Sequence, residues 1–279
     1  MNIGIVGLGL IGGSLGLDLR RQGYKVFGVS RRNSIASDAI ALGIVDEASD
    51  DFAILKPTQV VFICTPLSAI GSTVEQLIPH LNPSTVLTDV GSVKTPVIDA
   101  IAQLWDNFVG GHPMAGKADS GIEAAQLNLF ANKPYVLTPI ATTPTAAVET
   151  VDSIVRSLGA NIYYCNPIEH DRAVAWISHL PVMISSSLIA ACISDRADVL
   201  KLAIQLASSG FRDTSRVGGG NPELGVMMAR YNRPELLRSL RQYQHQLKAL
   251  TLLIEQEDWL ALEEYLKSTQ SARPQFIHD

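Results

Sequence analysis

Residues 2–12 read NIGIVGLGLIG, a β-branched apolar run that enters Gly7-Leu8-Gly9-Leu10-Ile11-Gly12 and continues as helix-like sequence from Ser14. A strand, a GxGxxG turn and a helix in that order leave few folds open, because each glycine has a separate task. Gly7 permits the tight turn, Gly9 lets backbone N–H groups approach a pyrophosphate, and Gly12 lets helix and strand pack closely. The helix N-terminus adds favourable partial positive charge. A second apolar run at Lys25–Val29 completes a β-α-β unit. The pattern predicts dinucleotide binding through residues 7–12; the alternative is an ordinary glycine-rich turn.

The end of the second strand discriminates between dinucleotides, since an acid there binds a ribose 2′-hydroxyl and repels a 2′-phosphate. The sequence offers Ser30-Arg31-Arg32 instead, a hydroxyl and two guanidinium groups suited to a phosphate dianion. NADP is expected over NAD, unless Arg31 and Arg32 merely solvate a helix start near Ser34.

Up to about residue 165, apolar strand patterns at Asn2–Val6, Lys25–Val29, Gln59–Cys64, Thr85–Asp89, Phe108–Gly110, Tyr135–Thr138 and Asn161–Tyr164 alternate with helical patterns at Leu67–His80, Thr95–Trp105 and Thr145–Leu158. This predicts an α/β, Rossmann-type doubly wound N-terminal domain with a parallel sheet. After Pro167 the strand signals stop. An all-α C-terminal domain is expected, with domains at 1–166 and 167–279. Ala173–Ile193 is apolar on most sides but carries Ser178, His179, Pro181 and Ser185–Ser187, which predicts a buried helix pair rather than a membrane span. Leu236, Leu240, Tyr243, Leu247 and Leu250 repeat at four, three, four and three, the stripe of a dimer interface or of internal bundle packing.

Composition narrows the function classes. A net charge of −5 with scattered basic residues argues against a nucleic-acid surface, and 47% apolar residues over 279 positions can bury a large core. Cys64, Cys165 and Cys192 are an odd number without metal-ligand spacing, which predicts reduced thiols, no metal and a cytoplasmic protein. No basic segment precedes the first apolar run, so no export signal is expected.

Chemistry should gather where strands end at the nucleotide crevice. Cys64-Thr65-Pro66 would let the backbone approach a nicotinamide. Ser92, in Asp89-Val90-Gly91-Ser92-Val93-Lys94, would cap a helix or touch a ligand. His112, between Gly110-Gly111 and Pro113, fits a general base whose neutral imidazole accepts a hydroxyl proton as hydride leaves carbon; the other reading is a satisfied turn histidine. His179 is a polar residue inside an apolar helix and needs a partner, either a substrate or another side chain. Arg212 and Arg216, in a glycine-rich loop at 210–220, could aim at a carboxylate or lie at the surface, and Asp213 could neutralise one of them.

In order and context, GLGLIG (7–12), DVGSVK (89–94), GGHPMAG (110–116), ISHLP (177–181) and FRDTSRVGGGNP (211–222) resemble the prephenate/arogenate dehydrogenase family of tyrosine biosynthesis. The resemblance spans nearly the whole chain and implies a nucleotide-binding domain followed by a helical dimerisation domain, hence a homodimer through the C-terminal helices. It implies oxidative decarboxylation of a cyclohexadienol: His112 takes the 4-hydroxyl proton, Ser92 holds that hydroxyl and His112, Arg216 clamps a substrate carboxylate, His179 lines the substrate cavity, and Arg212 supports. A short monofunctional enzyme is expected. Arogenate is favoured over prephenate because the short members prefer NADP and Asp213 could face the substrate amine. The rivals are a β-hydroxyacid dehydrogenase or pyrroline-carboxylate reductase, and a non-catalytic NADPH-sensing dimer. The first of these should carry a catalytic lysine, yet Lys201 and Lys248 lie in no corresponding motif.

Overall fold

The computed structural model describes residues 1–117 and 119–277. The chain forms two compact units, Met1–Arg233 and Pro234–Asp279. The change from alternating strands to helices falls near residue 166, inside the first unit.

In the first unit, strands β1 (Asn2–Val6), β2 (Lys25–Val29), β3 (Glu47–Ser49), β4 (Val60–Ile63), β5 (Val86–Asp89), β6 (Phe108–Pro113), β7 (Pro134–Thr138) and β8 (Asn161–Tyr164) make one sheet in the order β3-β2-β1-β4-β5-β6-β7-β8. The strand order reverses at β1/β4, which run parallel, and there a doubly wound fold opens its binding crevice. Helices α1 (Leu10–Arg21), α2 (Asn33–Ala41), α3 (Ile70–Leu77), α4 (Thr95–Ile101) and α5 (Thr145–Ser157) accompany it. Ile3, Ile5, Val60 and Phe62 share one core cluster with Leu15, Leu19, Val151 and Ile154, whereas Val61, Ile63 and Leu87 share another with Val74, Leu77, Ile98 and Ile101. Burial on both faces explains why these strands read as continuous apolar runs.

Two features depart from the sequence expectation. The sheet is not wholly parallel, because β7 runs antiparallel to β6. No crossover helix occupies the described part of residues 114–133, and a strand that returns without a crossover pairs antiparallel. β6 also continues past Gly110, so that His112 sits within the sheet opposite Val136.

Past β8, α6 (Pro167–Val174) opens on a capping box in which Asn166 and Glu169 satisfy each other's backbone N–H. A π-helical turn at Ala175–His179 joins it to α7 (Leu180–Ile193). Pro181 lacks an N–H and its ring obstructs the preceding turn, and the wider π turn absorbs both. Helices α8 (Ala197–Leu206), α9 (Ser209–Ser215) and α10 (Pro222–Tyr231) follow. The expected buried helix pair is instead one run, Pro167–Ile193, long and apolar enough to cross a membrane, with only 17% of its most apolar window buried in the chain. The second unit contains most of α11 (Arg233–Glu255) and all of α12 (Trp259–Ala272), and the Tyr265 hydroxyl donates to Gln246 Oε1 at 3.4 Å.

Candidate active site

The crevice begins where three strand ends meet. Gly7 N donates to Val29 O at 2.9 Å and Cys64 N donates to Val6 O at 2.7 Å, which ties the glycine turn to the ends of β2 and β4. Gly7 has φ +99°, and a Cβ there would lie 2.7 Å from the Cys64 carbonyl; a Cβ on Gly12 would lie 2.0 Å from Gly7 O. Neither position admits a side chain. A Cβ on Gly9 would meet nothing within 4 Å, so open space faces the start of α1. That helix has no side-chain cap and no acid in its first turn, which leaves its N–H groups for an anion. Leu8 is buried in the core, Leu10 and Ile11 pack on it, and all three present backbone to the turn. Ser30 is half-buried and Arg31 and Arg32 are exposed at the end of β2, with no side-chain ion pair among the described residues. At the end of β4, the Thr65 hydroxyl is buried without a partner among the described residues, and Pro66 is exposed. This cradle fits a dinucleotide.

Next along the same sheet edge stands His112. Its Nδ1 lies 2.8 Å from His170 Nε2, and His170 Nδ1 lies 2.8 Å from Asp171 Oδ1. Burial alone would raise the Asp171 carboxyl, but hydrogen bonds from His170, Lys94 and Thr95 outweigh it and hold its pKa below the usual carboxylate value. Lys94 N and Thr95 N donate to its two oxygens at 2.7 and 2.8 Å. An ionised Asp171 requires His170 Nδ1 to carry hydrogen. His112 itself is held well below the ordinary imidazole pKa, first by burial and then by His170, Lys94 and His179. Where His170 carries hydrogen at Nδ1 alone, His112 Nδ1–H donates to His170 Nε2 and His112 Nε2 keeps its lone pair.

Beneath β6, Lys94 and Asp89 form an ion pair in which both side chains are fully buried. Lys94 Nζ also donates to Gly111 O at 2.7 Å, and Asp89 Oδ1 accepts from Gly111 N at 3.1 Å. Both polar groups of the residue preceding His112 are thereby fixed.

His179, delivered inward by the π turn, is fully buried. Asn232 Nδ2 donates to Asp171 O at 2.7 Å and lies 3.1 Å from His179 Nδ1. Since an amide nitrogen only donates, His179 Nδ1 accepts and Nε2 carries the hydrogen. That Nε2 has no partner among the described residues. Burial lowers the His179 pKa to about 4, so the ring stays neutral.

The remaining expected residues lie apart from this network. Ser92 is half-buried and does not cap α4, whose first amides are taken by Asp171; of its two sequence readings, the cap is overturned. Arg212 and Asp213 sit on α9 rather than in a loop, are exposed, and pair with each other at 3.1 Å. Arg216 opens a 3-10 turn, Arg216–Gly219, that packs on α7 so closely that a Cβ on Gly218 would lie 2.7 Å from Ser186 N. Arg216 is exposed and shares no hydrogen bond with the His112 network among the described residues.

His170, Asp171 and Asn232 were not singled out in the sequence. The available signal was an adjacent His-Asp pair one turn after an Asn-Pro-x-Glu helix start, masked by reading Pro167 only as a boundary.

Comparison with known proteins agrees across the chain. The sequence model described as "Prephenate dehydrogenase, nucleotide-binding domain" matches residues 15–164, and that described as "Prephenate dehydrogenase, dimerization domain" matches 166–268. The prephenate dehydrogenase of Bacillus subtilis is 32% identical over 276 residues, covering 96% of this chain and 74% of the relative. The crystal structure of Synechocystis arogenate dehydrogenase superposes with a TM-score of 0.92 at 51% identity, covering 99% and 100% of the two chains. That of prephenate dehydrogenase from A. aeolicus, in complex with hydroxyphenyl propionate and NAD+, gives 0.93 at 29% identity, covering 99% and 98%. The chain therefore belongs to the prephenate/arogenate dehydrogenase family, oxidoreductases of tyrosine biosynthesis that use a pyridine nucleotide.

Proposed function

We propose that this chain catalyses the NADP-dependent oxidative decarboxylation of arogenate to tyrosine, with His112 as general base. The observation that carries the reading is the buried, neutral His112, whose hydrogen-bonded Nδ1 leaves the Nε2 lone pair for a substrate hydroxyl. The bound nicotinamide supplies the hydride acceptor. His112 Nε2 takes the 4-hydroxyl proton as hydride leaves carbon 4, and Ser92 holds that hydroxyl. Loss of carbon dioxide then sends the ring–carboxylate bond electrons toward the new carbonyl, which becomes the phenol oxygen on protonation. The unpartnered Nε2–H of His179 offers a donor to the substrate. Arg216, exposed and unpaired among the described residues, clamps a substrate carboxylate, and Arg212 supports it.

Ser30, Arg31 and Arg32 support NADP, since no acid stands at the end of β2 to repel a 2′-phosphate. The cradle at Gly7, Leu8, Gly9, Leu10, Ile11 and Gly12 holds the pyrophosphate, and Cys64, Thr65 and Pro66 face the nicotinamide. Arogenate is favoured by the 51% identity to the Synechocystis enzyme and by Asp213 as a carboxylate for the substrate amine. The second reading is prephenate, favoured by the name of the B. subtilis relative.

We assign nucleotide binding to residues 1–166 and substrate and dimer contacts to 167–279; the two sequence models, which meet between residues 164 and 166, support that division. A homodimer is favoured by the dimerization-domain match and by apolar side chains left uncovered, including Ile204 at 68% and Leu247 at 51% exposure. The free thiols of Cys64, Cys165 and Cys192 suit the cytoplasm.

The test is a matrix of NADP+ or NAD+ with arogenate or prephenate, followed by absorbance of the reduced nicotinamide. The highest kcat/KM is expected for NADP+ with arogenate. Faster turnover of prephenate selects the second reading, and no reduction in any combination rejects the enzyme.

A further inference from the structure

The network around His112 has more members than proton abstraction requires, and each is buried. His170 and Asp171 lie on α6, 58 residues from His112 in sequence, and are 1% and 4% exposed. Both Asp171 oxygens are in use: Oδ1 accepts from His170 and Lys94 N, and Oδ2 accepts from Thr95 N. The carboxylate is thus anchored to the start of α4 and cannot turn without stranding buried amides. An anchored acceptor fixes hydrogen on His170 Nδ1, and in the tautomer that carries hydrogen there alone His170 Nε2 accepts from His112 Nδ1. The two rings meet edge to face with centroids 5.0 Å apart, a geometry that orients the His112 ring plane as well as its tautomer.

The same residue reaches His179. Asn232 donates to the Asp171 carbonyl and to His179 Nδ1. One network therefore imposes opposite characters on two buried imidazoles: a lone pair on His112 Nε2 and a hydrogen on His179 Nε2.

We infer that His170 and Asp171 are positioning residues that hold His112 in the Nδ1–H tautomer required of the base, and that Asn232 holds His179 in the opposite tautomer. The inference rests on the reading of His112 as base. When His112 takes a proton, its Nδ1–H stays on His170, and the fixed Asp171 charge stabilises the new imidazolium through the intervening ring without itself becoming protonated.

Three variants and two readouts test it. Asp171→Ala removes the acceptor that holds hydrogen on His170 Nδ1, so that hydrogen moves to His170 Nε2 and points at His112. His112 then loses its acceptor at Nδ1 and protonates at Nε2. His170→Gln keeps one acceptor for His112 and one donor for Asp171, whereas His170→Phe keeps only the ring volume. The first readout is the tautomer of His112 by nitrogen NMR of ¹⁵N-histidine-labelled protein. With six histidines in the chain, the signal is assignable by its loss in His112→Asn. This readout needs no turnover, so it separates failure of the positioning role from failure of the enzymatic reading. The second is kcat and KM with the preferred substrate pair.

The wild type is expected to show Nδ1–H at His112 and Asp171→Ala to show Nε2–H, with kcat lower by roughly 10²–10⁴ and KM changed far less. His170→Gln should retain at least about tenfold more kcat than His170→Phe. A role in packing alone predicts the reverse order, since Phe replaces the ring. An unchanged His112 tautomer in Asp171→Ala, or His170→Phe matching His170→Gln in kcat, overturns the inference.

Discussion

The stability of this protein should fall in mild acid, with His179 as an identifiable cause. Its pKa is lowered from the ordinary 6.5 to about 4, chiefly by burial, with Asp171 opposing and His170 reinforcing the shift. Asn232, the remaining polar neighbour, donates to Nδ1 and so favours the neutral ring. Because the folded pKa is the lower one, the unfolded chain binds the extra proton between about pH 6.5 and about pH 4, and stability is lost as pH falls through that window. At 1.36 kcal/mol per unit, moving from about pH 7.5 to about pH 5 costs about 2 kcal/mol from this residue. That corresponds to roughly 4–8 °C in Tm for a chain of this size. His112 titrates in the same sense, so the wild-type loss alone does not isolate His179. His179→Gln keeps an acceptor for Asn232 and cannot titrate. Thermal and urea unfolding of both proteins, without ligand and at one protein concentration, should show the wild type losing about 2 kcal/mol more than the variant over this interval. Equal losses would refute the reasoning, as would an NMR titration placing His179 near 6.5.

Three further outcomes follow from the same structure. Lys94→Met strands the fully buried Asp89 charge and should cost about 3–5 kcal/mol in urea unfolding; adding Asp89→Asn should return part of it, and a loss below about 1 kcal/mol contradicts the pair's role. Replacing Arg31 and Arg32 together by alanine should weaken NADP+ binding roughly tenfold or more in a fluorescence titration while sparing NAD+; equal weakening of both would remove the 2′-phosphate assignment. Ile204→Asp or Leu247→Glu should shift the sedimenting species from dimer to monomer, and an unchanged dimer would place the interface elsewhere.

Local chemistry was legible in the sequence. The glycine turn, the strand runs and the helical patterns at 67–80 and 145–158 depend on near neighbours, and the structure reproduces them to within a few residues. The short strand β3 escaped notice because Glu47-Ala48-Ser49 has no apolar run; it pairs through backbone with β2. The direction of β7 was illegible because it depends on what connects two strands, not on either strand. His112 and His179 stood out by their surroundings, but the residues that set their hydrogens did not. Asp171 acts through atoms 76 and 77 residues away, and no local pattern signals such a contact. Arg212 and Asp213 were read as loop because of the glycines in their segment, yet Ser209–Ser215 is a short helix although its glycine, serines, threonine and aspartate are weak helix formers.

The central claim is that the Nε2 lone pair of His112 takes the substrate proton, and substitution of that one side chain tests it most directly. In His112→Asn, turnover of the preferred substrate pair is measured beside cofactor affinity by titration. The account predicts kcat lower by roughly two to four powers of ten, with cofactor affinity unchanged. Turnover within a few-fold of wild type would contradict it.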